Sequence, residues 1–376
     1  MKKEEVFLTL LRCYLKNEEL NSEVVEVLKK QENLAHLYEI SKKYDLAHLI
    51  CFILDKNGFI SDDLVSKKFL KQQQMALFRD TQMQYNREKI KEILTRESIK
   101  TVFLKGSIIR LYYPETWMRT SCDIDVLVCE EDLDKACGVL ESNGYESGER
   151  SYRDISVIAP DGVHIELHFS LKQAVKDVDL ILDKVWDYVD EDGQLKTEFF
   201  YFHNIAHMAH HFRRGGCGIR PFIDLWLMEK CLQLDYEVIK TFCQTGGLES
   251  FYVMVKRLMN AWFDNGEFDD NLRDMQDYLL SAGLYGSLEN RVLIGKSKKG
   301  GKFKYFVSRL FLPYDVLKEY YPSLKGKRVL TIFYQVRRWF SLLSKEKRRK
   351  AIEELNVTAS KEKTKKIDNI IKILDL

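Results

Sequence analysis

Apolar residues recur at every third or fourth position through VFLTLLRCYL, NLAHLYEISKKYDLAHLICFIL and MALFRDTQMQYNREKIKEIL, so residues 1–98 are predicted to form an N-terminal helical region. The period then shortens to two. Thr101 to Leu104 is a β-branched and aromatic run that reads as a buried strand ending at Lys105. CDIDVLV and VHIELHF alternate, and ISVIAP reads as a strand before an Asp161–Gly162 turn. DLDKACGVLESNGY, lying between strands, has helical spacing. Residues 99–195 are therefore expected to be the strand-bearing core. Helical periodicity returns in EFFYFHNIAHMAHHF and PFIDLWLMEKCLQL, on either side of the glycine-rich RRGGCGIR, giving a helical region over 196–290 that packs on the core. A last region, 291–376, is also expected to be helical. With only 5 prolines and no low-complexity linker, these regions should pack closely instead of swinging on a tether.

Alternation in CDIDVLV places Asp123 and Asp125 on one strand face and Ile124 and Val126 on the other. Adjacent carboxylates repel, and their partial burial calls for a cation or a basic side chain; Mg²⁺ (or Mn²⁺) suits oxygen donors. Glu166, in the middle of VHIELHF with His164 and His168 on the same face, supplies a third acid. Three carboxylates suffice to hold one or two such ions while a triphosphate completes the oxygen shell. A D-x-D alone is weak, since paired acids also decorate exposed edge strands. Here it follows a Gly106-Ser107 turn at the start of the predicted helix IIRLYY. Glycine lets the backbone approach a polyphosphate, and the amides and the Ser107 hydroxyl can donate to its oxygens. Lys105 and Arg119 are placed to neutralise phosphate charge, or Lys105 to pair structurally with one of the acids.

A Gly-Ser turn, a helix, a D-x-D and a later acid resemble the DNA polymerase β-type nucleotidyltransferase superfamily. The Lys105-Gly106 opening, Arg119 before DIDVLV, HIELHFSL, HMAHHFRRGGCGIRPFIDLWLM and RLFLPYDVLKEYYPSL more closely resemble a bacterial family of uncharacterised nucleotidyltransferases, a likeness that covers nearly the whole chain. It implies an α+β fold, with a polymerase β-like core of mixed sheet and helices embedded in a largely helical chain. It also implies transfer of a nucleoside monophosphate from an NTP to a hydroxyl-bearing acceptor, with release of pyrophosphate. Asp123, Asp125 and Glu166 would be the catalytic metal ligands. Lys105, Gly106, Ser107, Arg119, Arg214 and Arg220 would bind the nucleotide. The acceptor is open: a small molecule, RNA or protein all suit the same chemistry. The Lys-Gly-Ser and R-x-x-x-D-I-D pattern also resembles toxin-type nucleotidyltransferases acting on tRNA or protein. A non-catalytic nucleotide-binding partner protein is the alternative of a different class.

Two further features bear on the site. His203, His207 and His211 recur every fourth residue along one helical face, and His207 and His211 opposed by His164 and His168 could enclose a zinc ion. Phosphate binding or core packing would use the same residues. In RRGGCGIRPFID the arginines Arg213, Arg214 and Arg220 surround glycines, either to hold a triphosphate or acceptor, with Asp224 orienting one arginine, or as a tight helix–helix connection.

Charge and composition set the surroundings. The 376-residue chain is nearly neutral at +2, yet residues 291–376 hold 23 Lys and Arg against 8 acids. GKSKKGGKFKY, KGKR and SKEKRRK could meet an anionic partner: RNA, another polyanion or a membrane surface. VLTIFYQVRRWFSLL, apolar with basic insertions, reads as a core helix with solvated arginines, or else as an interfacial helix. The eight cysteines lie scattered without a C-x-x-C pair and read as reduced, mostly buried thiols; Cys122, beside Asp123, is the one near the candidate site. No apolar run approaches the roughly 18 to 20 residues of a membrane span, and the amino-terminal stretch has no signal-peptide core, so a cytoplasmic protein is expected.

Overall fold

The computed structural model describes residues 3–264, 266–283, 286–299, 302–324, 326–341, 349, 353, 357 and 360–376. The predicted amino-terminal helices are α1 (Lys3–Lys16), α2 (Ser22–Leu28), α3 (Gln31–Lys43), α4 (Ala47–Lys56) and α5 (Leu64–Arg96). α5 starts where the Asp63 carboxylate accepts from the Val65 and Ser66 amides, satisfying donors that a helix start leaves without partners. At 33 residues it is about 50 Å long. Its buried residues Phe69, Ala76, Met83 and Ile90 fall seven apart and form one stripe. Phe69 packs into the large helical core, whereas Met83 and Ile90 pack under the sheet.

Among the described residues the strands form one mixed sheet in the order β1-β2-β5-β4-β3, made of β1 (Thr101–Phe103), β2 (Asp123–Val128), β3 (Glu146–Arg150), β4 (Asp154–Ile158) and β5 (His164–His168). β2 and β5 run parallel at its centre, and the other neighbours are antiparallel. α6 (Gly106–Ile109) follows β1, and α7 (Leu133–Ser142) follows β2. Ile124, Val126, Ile165 and Leu167 point to one face, against Ile90 and Leu94 of α5 and Leu133, Ala136 and Leu140 of α7. The opposite face of β2 carries Asp123, Asp125 and Leu127, and Leu127 joins Val102 and Leu104 in the larger core. The carboxylates therefore sit where a sheet face gives way to packed helices. The Asp161–Gly162 turn forms as predicted, with Gly162 at φ +85°.

α8 (Lys176–Leu182) leads to α9 (Thr197–Arg213), which is buried on almost every side through Phe199, Phe202, Ile205, Ala209 and Phe212. α10 (Arg220–Cys231) begins with Pro221 in its first turn, and α11 (Tyr236–Thr245), α12 (Glu249–Phe263) and α13 (Asp270–Ala282) follow. The glycine-rich turn between α9 and α10 is a close packing point. Gly215 has φ +117°, and a Cβ there would lie 2.6 Å from the Ser287 carbonyl oxygen. The remaining helices are α14 (Leu288–Lys298), α15 (Lys302–Leu310), α16 (Tyr314–Tyr320), α17 (Thr331–Ser341) and α18 (Lys361–Leu374). The fold is thus α+β, a five-stranded mixed sheet set within a largely helical chain, as predicted. No helix among the described residues is long and apolar enough to cross a membrane.

One reading fails on α17. Its Ile332, Phe333, Val336 and Phe340 face solvent while Tyr334 and Gln335 are buried, the reverse of a core helix with solvated arginines. Of SKEKRRK, all but Arg349 lies outside the described residues.

Candidate active site

The parallel pairing of β2 with β5 brings the three acids together. Asp123 pairs in register with His164 and Asp125 with Glu166, so two carboxylates stand side by side across the strands and a third lies two residues away on the same face. Asp123, His164 and Glu166 offer ligand atoms within 4.8 Å of one another, as do Asp125, Glu166 and His168, with Glu166 common to both groups.

Asp125 is almost fully buried and tightly held. Lys105 Nζ donates to its Oδ1 at 2.7 Å, and His168 Nε2 lies 2.8 Å from the same oxygen. Burial alone would raise its pKa, but the Lys105 charge and the His168 hydrogen bond outweigh it and keep Asp125 ionised well below the usual carboxylate range. Asp123 goes the other way, pushed up to about 6 by burial and by the charges of Asp125 and Glu166. His168 Nε2 also lies 3.3 Å from Glu166 Oε2. Burial and Lys105 push the His168 pKa down, but its bonds to Asp125 and Glu166 prevail and raise it.

This donor set fits a divalent cation. Asp123, raised first by burial and then by the charges of Asp125 and Glu166, is a carboxylate whose charged form a bound cation would favour. Both of those partners engage Oδ1 of Asp125, which leaves Oδ2 for an ion. Oxygen donors from Asp123, Asp125 and Glu166 match the preference of Mg²⁺ or Mn²⁺.

The acids open into a cleft of about 300 Å³ whose walls include Lys105, Gly106, Arg119, Arg153, Arg220 and Asn204. Lys105 has φ +44°, a conformation a side chain rarely adopts, and this aims the chain into α6. A Cβ on Gly106 would lie 3.1 Å from the Ser121 side chain, so glycine lets the chain pack tightly beside the cleft. The Ser107 amide donates to the Leu104 carbonyl, and the side chain borders a separate hollow with Met83, Arg87 and Arg110. Arg119 Nε and Nη2 grip Asp224, each 2.9 Å from a carboxylate oxygen, and the Tyr113 hydroxyl donates to the same group at 2.7 Å. Asp224 therefore orients an arginine, but it is Arg119 and not one of the three arginines of the glycine-rich turn. Arg220 donates to the Thr120 carbonyl at 2.6 Å and to Asp45 at 2.7 Å. Arg214 is exposed at the end of α9 and does not line the cleft. Of the predicted nucleotide-binding residues, Lys105, Gly106, Arg119 and Arg220 thus meet around the acids, whereas Ser107 and Arg214 lie apart.

The far wall adds residues beyond those predicted to bind the nucleotide. Arg153 enters from the turn before β4, and Asn204, His207 and His211 from α9. The four-residue spacing of the histidines is visible in the sequence; nothing marks Arg153 or Asn204. His207 Nε2 and His211 Nε2 are 2.9 Å apart, and burial, then the Lys105 charge, pushes the His211 pKa down to about 4. Among the described residues, the metal-capable groups combine carboxylates with His164 or His168 only, so the four-histidine zinc arrangement does not form. Cys122 is exposed and lines the cleft beside Asp123.

A Gly-containing turn leading into α6, a D-x-D on β2 and a third acid on the parallel neighbour define a nucleotidyltransferase. Residues 30–264 match the model of a family described as uncharacterised nucleotidyltransferase, and the chain belongs to that family. No curated protein matches the sequence. Among solved structures, the antibiotic-resistance factor ANT(2'')-Ia is similar at 14% identity and a TM-score of 0.35, over 47% of this chain and 96% of that one.

Proposed function

We propose that the protein transfers a nucleoside monophosphate from an NTP to a hydroxyl-bearing acceptor. Attack of the acceptor oxygen on the α-phosphorus forms the new ester, breaks the α–β anhydride bond and releases pyrophosphate. The observation that carries this reading is the register of Asp125 beside Glu166, with Asp123 on the same face. These three would hold Mg²⁺ or Mn²⁺, which supplies charge neutralisation for the triphosphate and lowers the acceptor hydroxyl pKa. Glu166, half-buried at the mouth of the cleft, accepts the acceptor proton. Lys105 and Arg153 neutralise charge on the departing pyrophosphate, and Arg119 and Arg220 fix the wall against which the nucleotide lies. His168 keeps Asp125 and Glu166 from drifting apart.

The test is pyrophosphate release from each of the four NTPs with Mg²⁺ or Mn²⁺, with cell extract supplying acceptors and a labelled nucleotide followed into product. Release and labelling that vanish in Asp123→Ala support the assignment, and the labelled species names the acceptor class. NTP binding without any movement of label would sink it in favour of a non-catalytic nucleotide-binding protein.

A further inference from the structure

The carboxy-terminal helices present an apolar face to solvent. On α17, Ile332 and Phe333 are 77% and 62% exposed, and Val336 and Phe340 follow four and eight residues after Ile332 on the same helical face. Val329, just before the helix, extends that face and is 92% exposed. On α15 and the residue after it, Phe303, Val307 and Phe311 repeat the pattern at four-residue spacing, with Tyr305 turned inward.

Polar anchors lock α17 in this orientation. Trp339 Nε1 donates to the Leu310 carbonyl at 2.9 Å, Arg338 Nη2 to the Arg309 carbonyl at 2.8 Å, and Gln335 Nε2 to the Leu312 carbonyl at 2.6 Å. These bonds satisfy carbonyls at and beyond the end of α15, where a helix leaves acceptors open. The Phe311 ring meets Trp339 edge-on at 5.3 Å, so the two apolar stripes adjoin at that corner. Rolling α17 to bury its apolar side would break all of these contacts.

Charge narrows the occupant. Residues 302–341 contain nine Lys and Arg, against Asp315 and Glu319 as the acids. Lys327, Arg328 and Arg337 are exposed close to the stripe in sequence, Arg337 one turn after Phe333. A second copy would bring two basic faces together. A single-stranded nucleic acid would stack on rings such as Phe333 and Phe340, but Val329, Ile332 and Val336, three of the five residues of the α17 face, have none. Such high exposures also belong to a protruding face, not to a groove shaped for a peptide. We propose that this face docks on an anionic lipid surface, with Ile332, Phe333 and Phe340 entering the boundary between headgroups and acyl chains while Lys327, Arg328 and Arg337 meet lipid phosphates.

The experiment is flotation of the full chain with phosphatidylcholine vesicles prepared with and without phosphatidylglycerol. The wild type should float with the phosphatidylglycerol vesicles and weaken as salt rises. The Ile332→Ser/Phe333→Ser double variant should lose at least about tenfold in partitioning. Lys327→Glu/Arg328→Glu should lose the preference for anionic lipid. Circular dichroism should show both variants folded, since the altered side chains are exposed. The proposal is overturned if the wild type ignores anionic vesicles or if the apolar variant floats equally well. It is also overturned if sedimentation shows a dimer that the apolar variant dissociates, or if the face instead retains RNA.

Discussion

Arg119 and Asp224 are joined by a two-pronged ion pair that ties the loop ahead of β2 to α10, 105 residues later in the chain. Both side chains are largely buried, and Tyr113 adds a third contact to the carboxylate. Burial works against the Arg119 charge, but Asp224 outweighs it and raises the guanidinium pKa. Removing Asp224 leaves a buried cation without its partner. Asp224→Ala should therefore cost about 3–5 kcal/mol in urea unfolding. An Arg119→Met/Asp224→Leu double variant should be less damaged than Asp224→Ala, because no charge is stranded. Equal losses in the two would show that packing dominates at this position.

Asp125→Asn keeps the side-chain volume beside Lys105 and His168 but removes the negative charge. Pyrophosphate release should fall by about 10²-fold or more, with the far-ultraviolet circular dichroism unchanged. A variant retaining wild-type turnover would remove Asp125 from the chemistry.

Asp123, with its pKa pushed up to about 6, should make cation binding pH-dependent. A cation competes with the proton for that carboxylate, so the site is open above pH 6 and progressively blocked below it. Mn²⁺ affinity of the nucleotide-free protein, measured by electron paramagnetic resonance, should drop by up to about tenfold per pH unit below 6. In Asp123→Asn the affinity should be lower, and its pH dependence in this window flatter.

Acid should destabilise the fold through buried histidines. Burial pushes His48 down to about 4 and His203 to about 3, so both stay neutral in the folded chain while the unfolded chain protonates them near pH 6.5. Below pH 6.5 the unfolded state binds more protons, and stability falls until the folded values are reached, by up to about 1.4 kcal/mol per pH unit for each group. Asp123 and His168, whose pKa values are raised, offset part of the slope. Urea midpoints from pH 7 to 5 measure the net effect. His48→Gln, able to keep a hydrogen bond to the Met118 carbonyl that His48 now contacts at 2.9 Å, should flatten the dependence.

The strands that carry the acids could be read from sequence because their two faces differ sharply. Ile124 and Val126 enter a core while Asp123 and Asp125 do not, and the same alternation exposed Glu166. β3 gave no such signal: all of ESGER is solvent-exposed, and its place at the sheet edge comes from pairing with β4. Arg153 and Asn204 reach the cleft through tertiary packing, which leaves no local pattern. The Gly215 turn shows a composition with two meanings, since its glycine answers to the Ser287 backbone and only Arg220 of the surrounding arginines turns into the cleft. α17 misled for a related reason: its amphipathic period is real, but hydrogen bonding at the end of α15 decides which side faces in.

The seven-residue stripe of α5 has a consequence for how the molecule comes apart. Phe69 is embedded among the helices and Ile90 beneath the sheet, so one uninterrupted helix is a wall of both cores. Neither core can melt without stripping a partner from the other. Heating should then show a single cooperative transition across this span, and a fragment cut at the end of α5 would expose the underside of the sheet that carries the acids.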